Sequence, residues 1–275
     1  MTTRADWQAA VGRNWADLYS LTDRSFSGLT QQLLDRLERL PGADVLDVGC
    51  GAGELALALA RCRPRARIVG VDISADLIAA ARARADERVL VEFHEGDAAS
   101  WVEPGFTPDL IVSRHGVMFF PDPVAAFFHL FAIASPGAHL AFTCFRELRQ
   151  NPWASELAAL LPPEAVTPFD PVAPGPFAFA DPARVEAILR KAGWEDISFL
   201  PLDFAYVAGL GDDPVADAAA YLGRIGPAAA GLRALAGTAA YQPFVARLTA
   251  WLEENRSGNT VAFPAAAWLV MARRS

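Results

Sequence analysis

Short apolar stretches alternate with helical patterns through the first half of this 275-residue chain. Each stretch is five to seven residues long, as expected of a buried strand, and each following segment carries apolar residues at helical spacing. This alternation indicates an α/β fold with parallel strands joined by right-handed crossovers. Strands are predicted near 44–48, 67–71, 89–93, 109–113 and 139–145, and helices near 54–62, 75–86 and 123–134.

The pattern changes on both sides of this region. A helical stripe of leucines that includes Leu29, Leu33 and Leu37 precedes it, and a segment rich in Pro and Phe follows it. Beyond that segment, a helix at 182–192 and strands near 197–208 and 265–273 complete the sheet. The predicted organisation is a helical segment (1–42), a core (43–145), a cap insertion (146–180) and a remainder of the core (181–275) with a helical lid insertion at about 210–255.

The most informative stretch of the core is the end of its first strand, Val45-Leu46-Asp47-Val48-Gly49-Cys50-Gly51-Ala52-Gly53. Glycine accepts positive φ angles and has no Cβ to keep a ligand away. The helix that follows directs its free amide groups towards the same point. Because the spacing lacks the third Gly of the dinucleotide fingerprint and the Lys of the P-loop, a pyrophosphate site is not favoured.

Two further strands end in acids. Asp72 follows the second strand, 19 residues after Gly53, where a carboxylate can accept hydrogen bonds from both hydroxyls of a ribose. Asp97 follows the third strand, where it can accept the exocyclic amine of an adenine while the amide of Ala98 faces a ring nitrogen. Ligands of open α/β sheets bind beyond the carboxyl ends of the strands, so we expect these groups to lie together with Ser113.

These elements resemble the first three motifs of class I S-adenosylmethionine-dependent methyltransferases. Residues 109–116 are similar to the fourth-strand motif of that family, and 135–142 to the turn into its fifth strand, with Ala138 where a second Gly is usual. The resemblance covers about 43–145 and is strongest to bacterial small-molecule methyltransferases of the ubiquinone-biosynthesis type. It implies a Rossmann-like, seven-stranded, mostly parallel sheet with helices on both faces and a lid after the fifth strand.

The resemblance also implies the cofactor S-adenosylmethionine. The glycines would border its methionine part and ribose, and Asp47 would hold its amino group directly or through water. The backbone of Ser113 and Arg114 would border its sulfonium end. The alternative is that Asp72 is only a helix N-terminal acid and Asp97 a turn residue. The implied cofactor-binding residues are Asp47, Gly49, Cys50, Gly51, Gly53, Asp72, Ile73, Asp97, Ala98, Ser113 and Arg114.

His115 is the candidate catalytic residue, because it follows the fourth strand, where acceptors approach in this fold. An imidazole suits general base catalysis, which is needed only if the acceptor is a hydroxyl or an ammonium that must lose a proton. The alternative is a pocket-lining histidine bonded to a carbonyl group.

Aromatic side chains are candidates for an apolar acceptor pocket, which would suit an aromatic or lipid-like small molecule. The alternative for each is an ordinary core position. Arg24 and Arg114 are candidates for meeting an acidic group of the acceptor. The predicted substrate-binding residues are Trp15, Tyr19, Phe119 and Trp153, with Met118, Phe120, Phe169, Phe177 and Phe179 as further members of the pocket.

The composition limits which classes of binding partner are expected. A net charge of −8 argues against nucleic acid, and no apolar run is long enough to insert into a membrane. The three cysteines, Cys50, Cys62 and Cys144, form no C-x-x-C pair, which indicates no metal site and a reducing cytoplasm. An apolar content of 53% leaves room for an apolar pocket or a homodimer contact.

Methyl transfer to a small acceptor is therefore the favoured function, with oxygen as the favoured target. The alternatives are halide-, nitrogen- or carbon-directed transfer, non-methylating chemistry with the same cofactor such as decarboxylation or cyclisation, and a non-catalytic cofactor-binding protein. The three retained acids argue against the last of these.

Overall fold

The computed structural model describes residues 4–86, 90–166, 170–226 and 229–275. Its strands form one sheet in the order β3-β2-β1-β4-β5-β8-β6. The first five of these pair in parallel, and β8 and β6 pair antiparallel. The strands are β1 (Asp44–Val48), β2 (Arg67–Asp72), β3 (Val91–Glu95), β4 (Leu110–Arg114), β5 (His139–Phe145), β6 (Glu195–Leu210), β7 (Arg256–Ser257) and β8 (Thr260–Arg273).

Helices flank this sheet, as the alternating pattern predicts. Among the described residues, no helix combines the length and the apolar character that crossing a bilayer requires. The helices are α1 (Arg4–Trp7), α2 (Ala10–Asp17), α3 (Tyr19–Leu37), α4 (Glu54–Cys62), α5 (Ala75–Arg84), α6 (Pro123–Ile133), α7 (Pro152–Ala159), α8 (Pro182–Lys191), α9 (Pro214–Leu222), α10 (Ala229–Leu235) and α11 (Tyr241–Glu254).

Local signals explain where several helices begin. Asp122, Asp181 and Asp213 each stand before a proline in the first turn, and each side chain accepts the hydrogen bond of a backbone amide. A capping oxygen followed by a residue with a preset φ is a strong helix start. The third strand differs from its prediction, because it begins at Val91 and extends to Glu95, and position 89 lies outside the described residues.

The last two strands are longer than predicted, since β8 begins at Thr260 rather than near 265. Pro264 lies within the added part of β8, although proline lacks the amide hydrogen that the interior of a sheet needs. In the structure β8 pairs with β5 only from Ala267 to Arg273, so Pro264 lies in a part of the ribbon paired with β6 alone. The two-residue β7 adds an eighth strand to the seven predicted.

The described part of the cap region contains one α-helix, α7, and is anchored by the buried side chain of Asn151. Its Nδ2 donates to the carbonyl oxygen of Ala266 at 3.2 Å, and its Oδ1 accepts from the amide of Ala266 at 3.0 Å. The same Oδ1 accepts from the indole of Trp153 at 3.2 Å. One amide group therefore joins β8 to the cap and holds Trp153 in place.

We expect Asn151→Ala to lower the free energy of unfolding by about 2–4 kcal/mol, because it leaves several buried partners without hydrogen bonds. Urea denaturation measures the change. Arg149→Ala is the matched control, since that side chain is 79% exposed. Equal unfolding midpoints for the two variants would show that Asn151 is not an anchor.

Candidate functional site

A cavity opens at the carboxyl ends of β1, β2 and β4, where the glycine turn begins. Of the predicted site residues, Gly53 and Ser113 do not line it and all of the others do. The residues that line the cavity are Trp7, Trp15, Tyr19, Thr22, Asp23, Phe26, Asp47, Val48, Gly49, Cys50, Gly51, Ala52, Leu55, Val71, Asp72, Ile73, Leu77, Gly96, Asp97, Ala98, Arg114, His115, Gly116, Met118, Phe119, Phe120, Pro121, Phe145, Trp153, Pro176, Tyr206, Ile225 and Gly226.

The three glycines of the turn have left-handed φ angles of 65°, 56° and 82°. A Cβ on Gly49 would lie 2.9 Å from the Cα of Gly116, and one on Gly53 would lie 2.7 Å from the ring of Phe93. A Cβ on Gly51 would meet nothing within 4 Å. Gly49 and Gly53 are thus required by packing, whereas Gly51 leaves space beside the cavity for a ligand.

Asp72 holds the turn against the end of β2. Its Oδ2 accepts a hydrogen bond from the amide of Gly51 at 2.9 Å, and its Oδ1 accepts one from the amide of Ser74 at 2.9 Å. Burial raises the pKa of this carboxyl, and the amide hydrogen bonds from Ser74, Gly51 and Ile73 oppose the rise. Each oxygen keeps a further lone pair, so Asp72 can hold the turn and still accept hydrogen bonds from a ligand.

Asp47 is buried at the end of β1, and neither carboxylate oxygen has a hydrogen-bond partner among the described residues. Burial raises the pKa of Asp47 to about 7, while the Arg114 guanidinium opposes the rise and the charge of Asp72 adds to it. An unpaired buried acid is costly, and a cationic ligand group beside it would remove that cost. Asp47 is therefore suited to hold a positive charge.

Asp97 and Ala98 lie on the wall near the end of β3. The Oδ1 of Asp97 accepts from the amide of Ala99 at 3.0 Å, and its carbonyl oxygen accepts from the amides of Ser100 and Trp101. Asp97 therefore stabilises a turn, as expected if it is a turn residue, and it also lines the cavity.

Arg114 belongs to a buried charge network. Its guanidinium forms an ion pair with Glu54, lies 4.0 Å from Asp23 and donates to the hydroxyl of Thr30 at 3.0 Å. Asp23 also pairs with Arg84. The charge of Arg114 is therefore balanced inside the protein. Sequence patterns gave no sign of this network, because its members lie on α3, α4, α5 and β4 and meet only in the fold.

Ser113 is fully buried behind the cavity wall. Its hydroxyl donates to the carbonyl oxygen of Val48 at 2.7 Å and accepts from the amide of Gly116 at 3.1 Å. Ser113 therefore joins the ends of β1 and β4, and it does not line the cavity.

His115 has a left-handed backbone, with φ at 61°. Its amide donates to the carbonyl oxygen of Thr143 at 3.1 Å, and its Nδ1 lies 2.9 Å from the hydroxyl oxygen of the same residue. The ring packs edge-on against Phe145, with centroids 4.1 Å apart. Burial lowers the pKa of His115 well below its ordinary value, and the Arg114 charge lowers it further. The imidazole is thus neutral at pH 7, and its buried Nε2 has no partner in the described part of the chain.

The end of the cavity beyond His115 is aromatic. Trp153 stacks on Tyr206 with centroids 4.6 Å apart, and Phe145 lies 5.0 Å from Trp153. The other predicted members of the pocket differ in position. Met118, Phe119 and Phe120 line the cavity, Phe177 packs behind Trp153, Phe179 packs against the core ring of Phe127, and Phe169 lies outside the described residues.

The amino-terminal helices cover the cavity from one side. Trp7, on α1, packs against Trp15 at 5.5 Å and against Phe119 at 5.2 Å. Gly12 brings α2 against the start of α5, where a Cβ would lie 2.3 Å from the hydroxyl oxygen of Ser74. Arg24 does not line the cavity, because it is bonded to Asp217 and to the carbonyl oxygen of Ala208.

No three His, Cys, Asp or Glu side chains are placed to hold a metal ion in the ranges that the structure describes.

Asp47 gives a test by pH. The pKa of this carboxyl is about 7 in the folded protein, which is above its value in the unfolded chain. Its contribution to stability is therefore fully present when the pH lies below the unfolded pKa, and it is lost as the pH rises through the folded pKa. We expect the cofactor-free protein to lose on the order of 3 kcal/mol of stability from this residue between pH 5 and 8. Asp47→Asn removes the loss, as measured by chemical denaturation at each pH.

The control for this prediction is Asp181→Asn, which changes an exposed acid and keeps a capping side chain. It should leave the pH dependence of the wild type unchanged. If Asp47→Asn and the wild type show the same pH dependence, Asp47 does not carry the raised pKa.

The methyltransferase domain model matches residues 45–137, which include the glycine turn and the ends of β1 to β4. The chain is 34% identical over 136 residues to trans-aconitate 2-methyltransferase of Variovorax paradoxus (strain S110), over 50% of this chain and 49% of that protein. It thus spans about half the length of that relative. It is 30% identical over 202 residues to nocamycin O-methyltransferase of Saccharothrix syringae, over 68% of this chain and 72% of that protein.

The fold is also that of solved methyltransferases. Magnesium protoporphyrin IX methyltransferase (ChlM) from Synechocystis PCC 6803, solved with bound SAH, superposes with a TM-score of 0.56 at 16% identity, over 99% of this chain and 98% of that chain. At this identity the likeness concerns the fold alone. Together with the family match and the 30% identical relative, it shows that this chain belongs to the class I S-adenosylmethionine-dependent methyltransferases.

Proposed function

We propose that this protein transfers a methyl group from S-adenosylmethionine to an oxygen atom of a small, mainly apolar acceptor. The proposal rests on two observations made together. There is free space beside Gly51, and the buried carboxylate of Asp47 has no hydrogen-bond partner among the described residues. A site of this kind fits a ligand that approaches the backbone closely and carries a positive charge. The similarity to nocamycin O-methyltransferase supports oxygen as the target.

The residues around the turn fit the parts of the cofactor. When bound, S-adenosylmethionine supplies a methyl group on a positively charged sulfur. Asp47 would receive the ammonium group of its methionine part, and Asp72 would accept the ribose hydroxyls through its remaining lone pairs. Asp97 and Ala98 would face the adenine. Cys50, Gly51 and Ile73 line the same stretch of wall.

The opposite end of the cavity fits the acceptor. Its walls come from Phe26, Phe145, Trp153 and Tyr206. Trp15, Tyr19 and Phe119 would cover the same space. The basic side chains among the lining residues that the structure describes are Arg114 and His115; the first is paired with Glu54 and the second is neutral. An acceptor with several negative charges would find no unpaired cation here, so the acceptor has a mainly apolar frame.

Rate enhancement then comes chiefly from alignment. Holding the acceptor oxygen in line with the methyl group can lower the barrier by about 7–11 kcal/mol relative to free reactants. The covering helices α1 to α3 enclose this space together with Ile225 and Gly226, which come shortly after α9. We propose that these segments act as the lid over the cavity.

The cysteines support a cytoplasmic location, which we also propose. Cys50, Cys62 and Cys144 are all free thiols, and Cys62 is exposed. A reducing compartment keeps such thiols free.

Asp72→Asn tests the cofactor site. We expect the binding free energy for S-adenosylmethionine to weaken by about 1–3 kcal/mol, that is about five- to 150-fold in affinity, because hydrogen bonds to a charged acceptor are lost. Titration calorimetry measures the affinity, and circular dichroism confirms that the variant is folded. Asp181→Asn should bind the cofactor as the wild type does, and unchanged binding by Asp72→Asn would remove its assigned role.

Methyl transfer itself is tested with cofactor labelled in the methyl group. The purified protein is incubated with a panel of phenols, carboxylic acids, enols and amines, and the products are separated by mass. We expect label in an oxygen-linked methyl group of an apolar acceptor. Tight cofactor binding with label in no product, across the whole panel, would contradict the proposal and favour a different use of the cofactor.

A further inference from the structure

We propose that Thr143 holds His115 in the neutral form that carries its hydrogen on Nε2, so that the imidazole donates a hydrogen bond to the acceptor oxygen instead of removing a proton from it. The acceptors are then molecules whose reacting oxygen is already ionised near neutral pH, such as carboxylic acids, acidic phenols or enols. This inference rests on the proposed function and specifies its substrate class.

His115 is attached to Thr143 at two points. The amide of His115 donates to the carbonyl oxygen of Thr143 at 3.1 Å, and Nδ1 lies 2.9 Å from the threonine hydroxyl oxygen. His115 directly follows β4, and Thr143 lies in the neighbouring strand β5, where it is in register with Arg114. The left-handed backbone of His115 is held by these contacts, as unusual backbone angles at functional positions often are. Ring orientation is therefore set by Thr143.

The hydrogen bond to Nδ1 has a preferred direction. The hydroxyl of Thr143 is fully buried, and Nδ1 of His115 is its one partner among the described residues. If the hydroxyl donates to Nδ1, the one donor left unpaired is the Nε2–H of His115, a residue that lines the cavity. If Nδ1–H donates to the hydroxyl oxygen, both the threonine hydrogen and the lone pair on Nε2 are left unpaired. Buried donors and acceptors are rarely left without hydrogen bonds, so the first arrangement is favoured.

The surroundings of the ring favour a neutral donor. Phe26 from α3 and Phe145 from β5 pack on it, and the charged group beside it is Arg114, which disfavours an imidazolium. A second candidate base at this end, Tyr206, has its hydroxyl 3.0 Å from that of Tyr221. Burial raises the pKa of Tyr206 well above its ordinary range, so it does not ionise at neutral pH.

An acceptor that arrives as an anion needs no base. Its oxygen forms a bond to the methyl carbon while the carbon–sulfur bond breaks and the sulfur keeps the electron pair, so no proton leaves in this step. The Nε2–H of His115 orients the oxygen lone pair and holds the anion in an apolar cavity. A neutral alcohol of high pKa would have to lose its proton, and the carboxylate of Asp23, which also lines the cavity, is already paired with Arg84.

The tautomer can be observed directly in the cofactor-free protein. The chain has four histidines, so two-bond nitrogen–hydrogen correlation spectra of 15N-histidine-labelled protein are readily assigned, with His115→Gln identifying the signal of interest. His129 serves as an internal reference, because its Nε2 lies 2.8 Å from the carbonyl oxygen of Trp101 and must carry the hydrogen. We expect His115 to show the same pattern as His129. A protonated Nδ1 at His115 would overturn the inference and leave the proposed function untouched.

Two matched variants of Thr143 test its role through kinetics. Thr143→Val keeps the shape and removes the hydroxyl, and Thr143→Ser keeps the hydroxyl. We expect Thr143→Val to lower kcat/KM for the acceptor about tenfold, and Thr143→Ser to stay within about twofold of the wild type. The calorimetric affinity for S-adenosylmethionine should be unchanged in both. Equal losses in both variants would assign Thr143 a purely structural role.

The pH profile distinguishes a donor from a base. With two acceptor phenols whose pKa values differ by about two units, the rise of kcat/KM with pH should follow the phenol if His115 is a donor. The midpoint of this rise should be at the same pH for both phenols if a group of the enzyme removes the proton. A fixed inflection that disappears in His115→Gln would identify His115 as the base and overturn the inference.

Discussion

The carboxylate of Asp47 and the Nε2 of His115 belong to residues that line one cavity, and neither group has a hydrogen-bond partner in the described residues. Native proteins rarely leave such groups unpaired, because a low-dielectric interior makes each one costly. The rest of the fold offsets this cost with a large apolar core. The two groups therefore mark where a ligand completes the structure, one at a charged end and one at an apolar end.

The distance between these ends is set by the strands. Asp72 ties the glycine turn to β2, Ser113 ties β4 to β1, and Thr143 ties the residue after β4 to β5. Gly116 lets the chain after β4 approach the end of β1 closely, since a Cβ on Gly116 would lie 2.7 Å from the carbonyl oxygen of Val48. Because each tie uses short side chains on neighbouring strands, the cavity floor is a single rigid unit on which cofactor and acceptor can be aligned.

The roof is built differently. Segments far apart in the sequence meet over the cavity, and Arg224, two residues after α9, bonds to Asn14 and Asp17 of the α2 segment. Exposed contacts of this kind contribute little to stability, so the aromatic packing of Trp7 on Trp15 and Phe119 holds the roof more than the charges do. A rigid floor under a weakly held roof is consistent with a site that must admit and release two molecules.

The sequence by itself determined the alternating α/β order, the glycine turn and the acids at the strand ends, because strand periodicity, helix caps and glycine requirements are local properties. Several features were decided only by the tertiary structure. These features depend on residues that are far apart in the sequence. They are the burial of Asp47, the pairing of Arg114 with Glu54, the contact of Thr143 with His115 and the extension of β8 past Pro264. Their energies depend on which strands and helices become neighbours, and no local pattern records that.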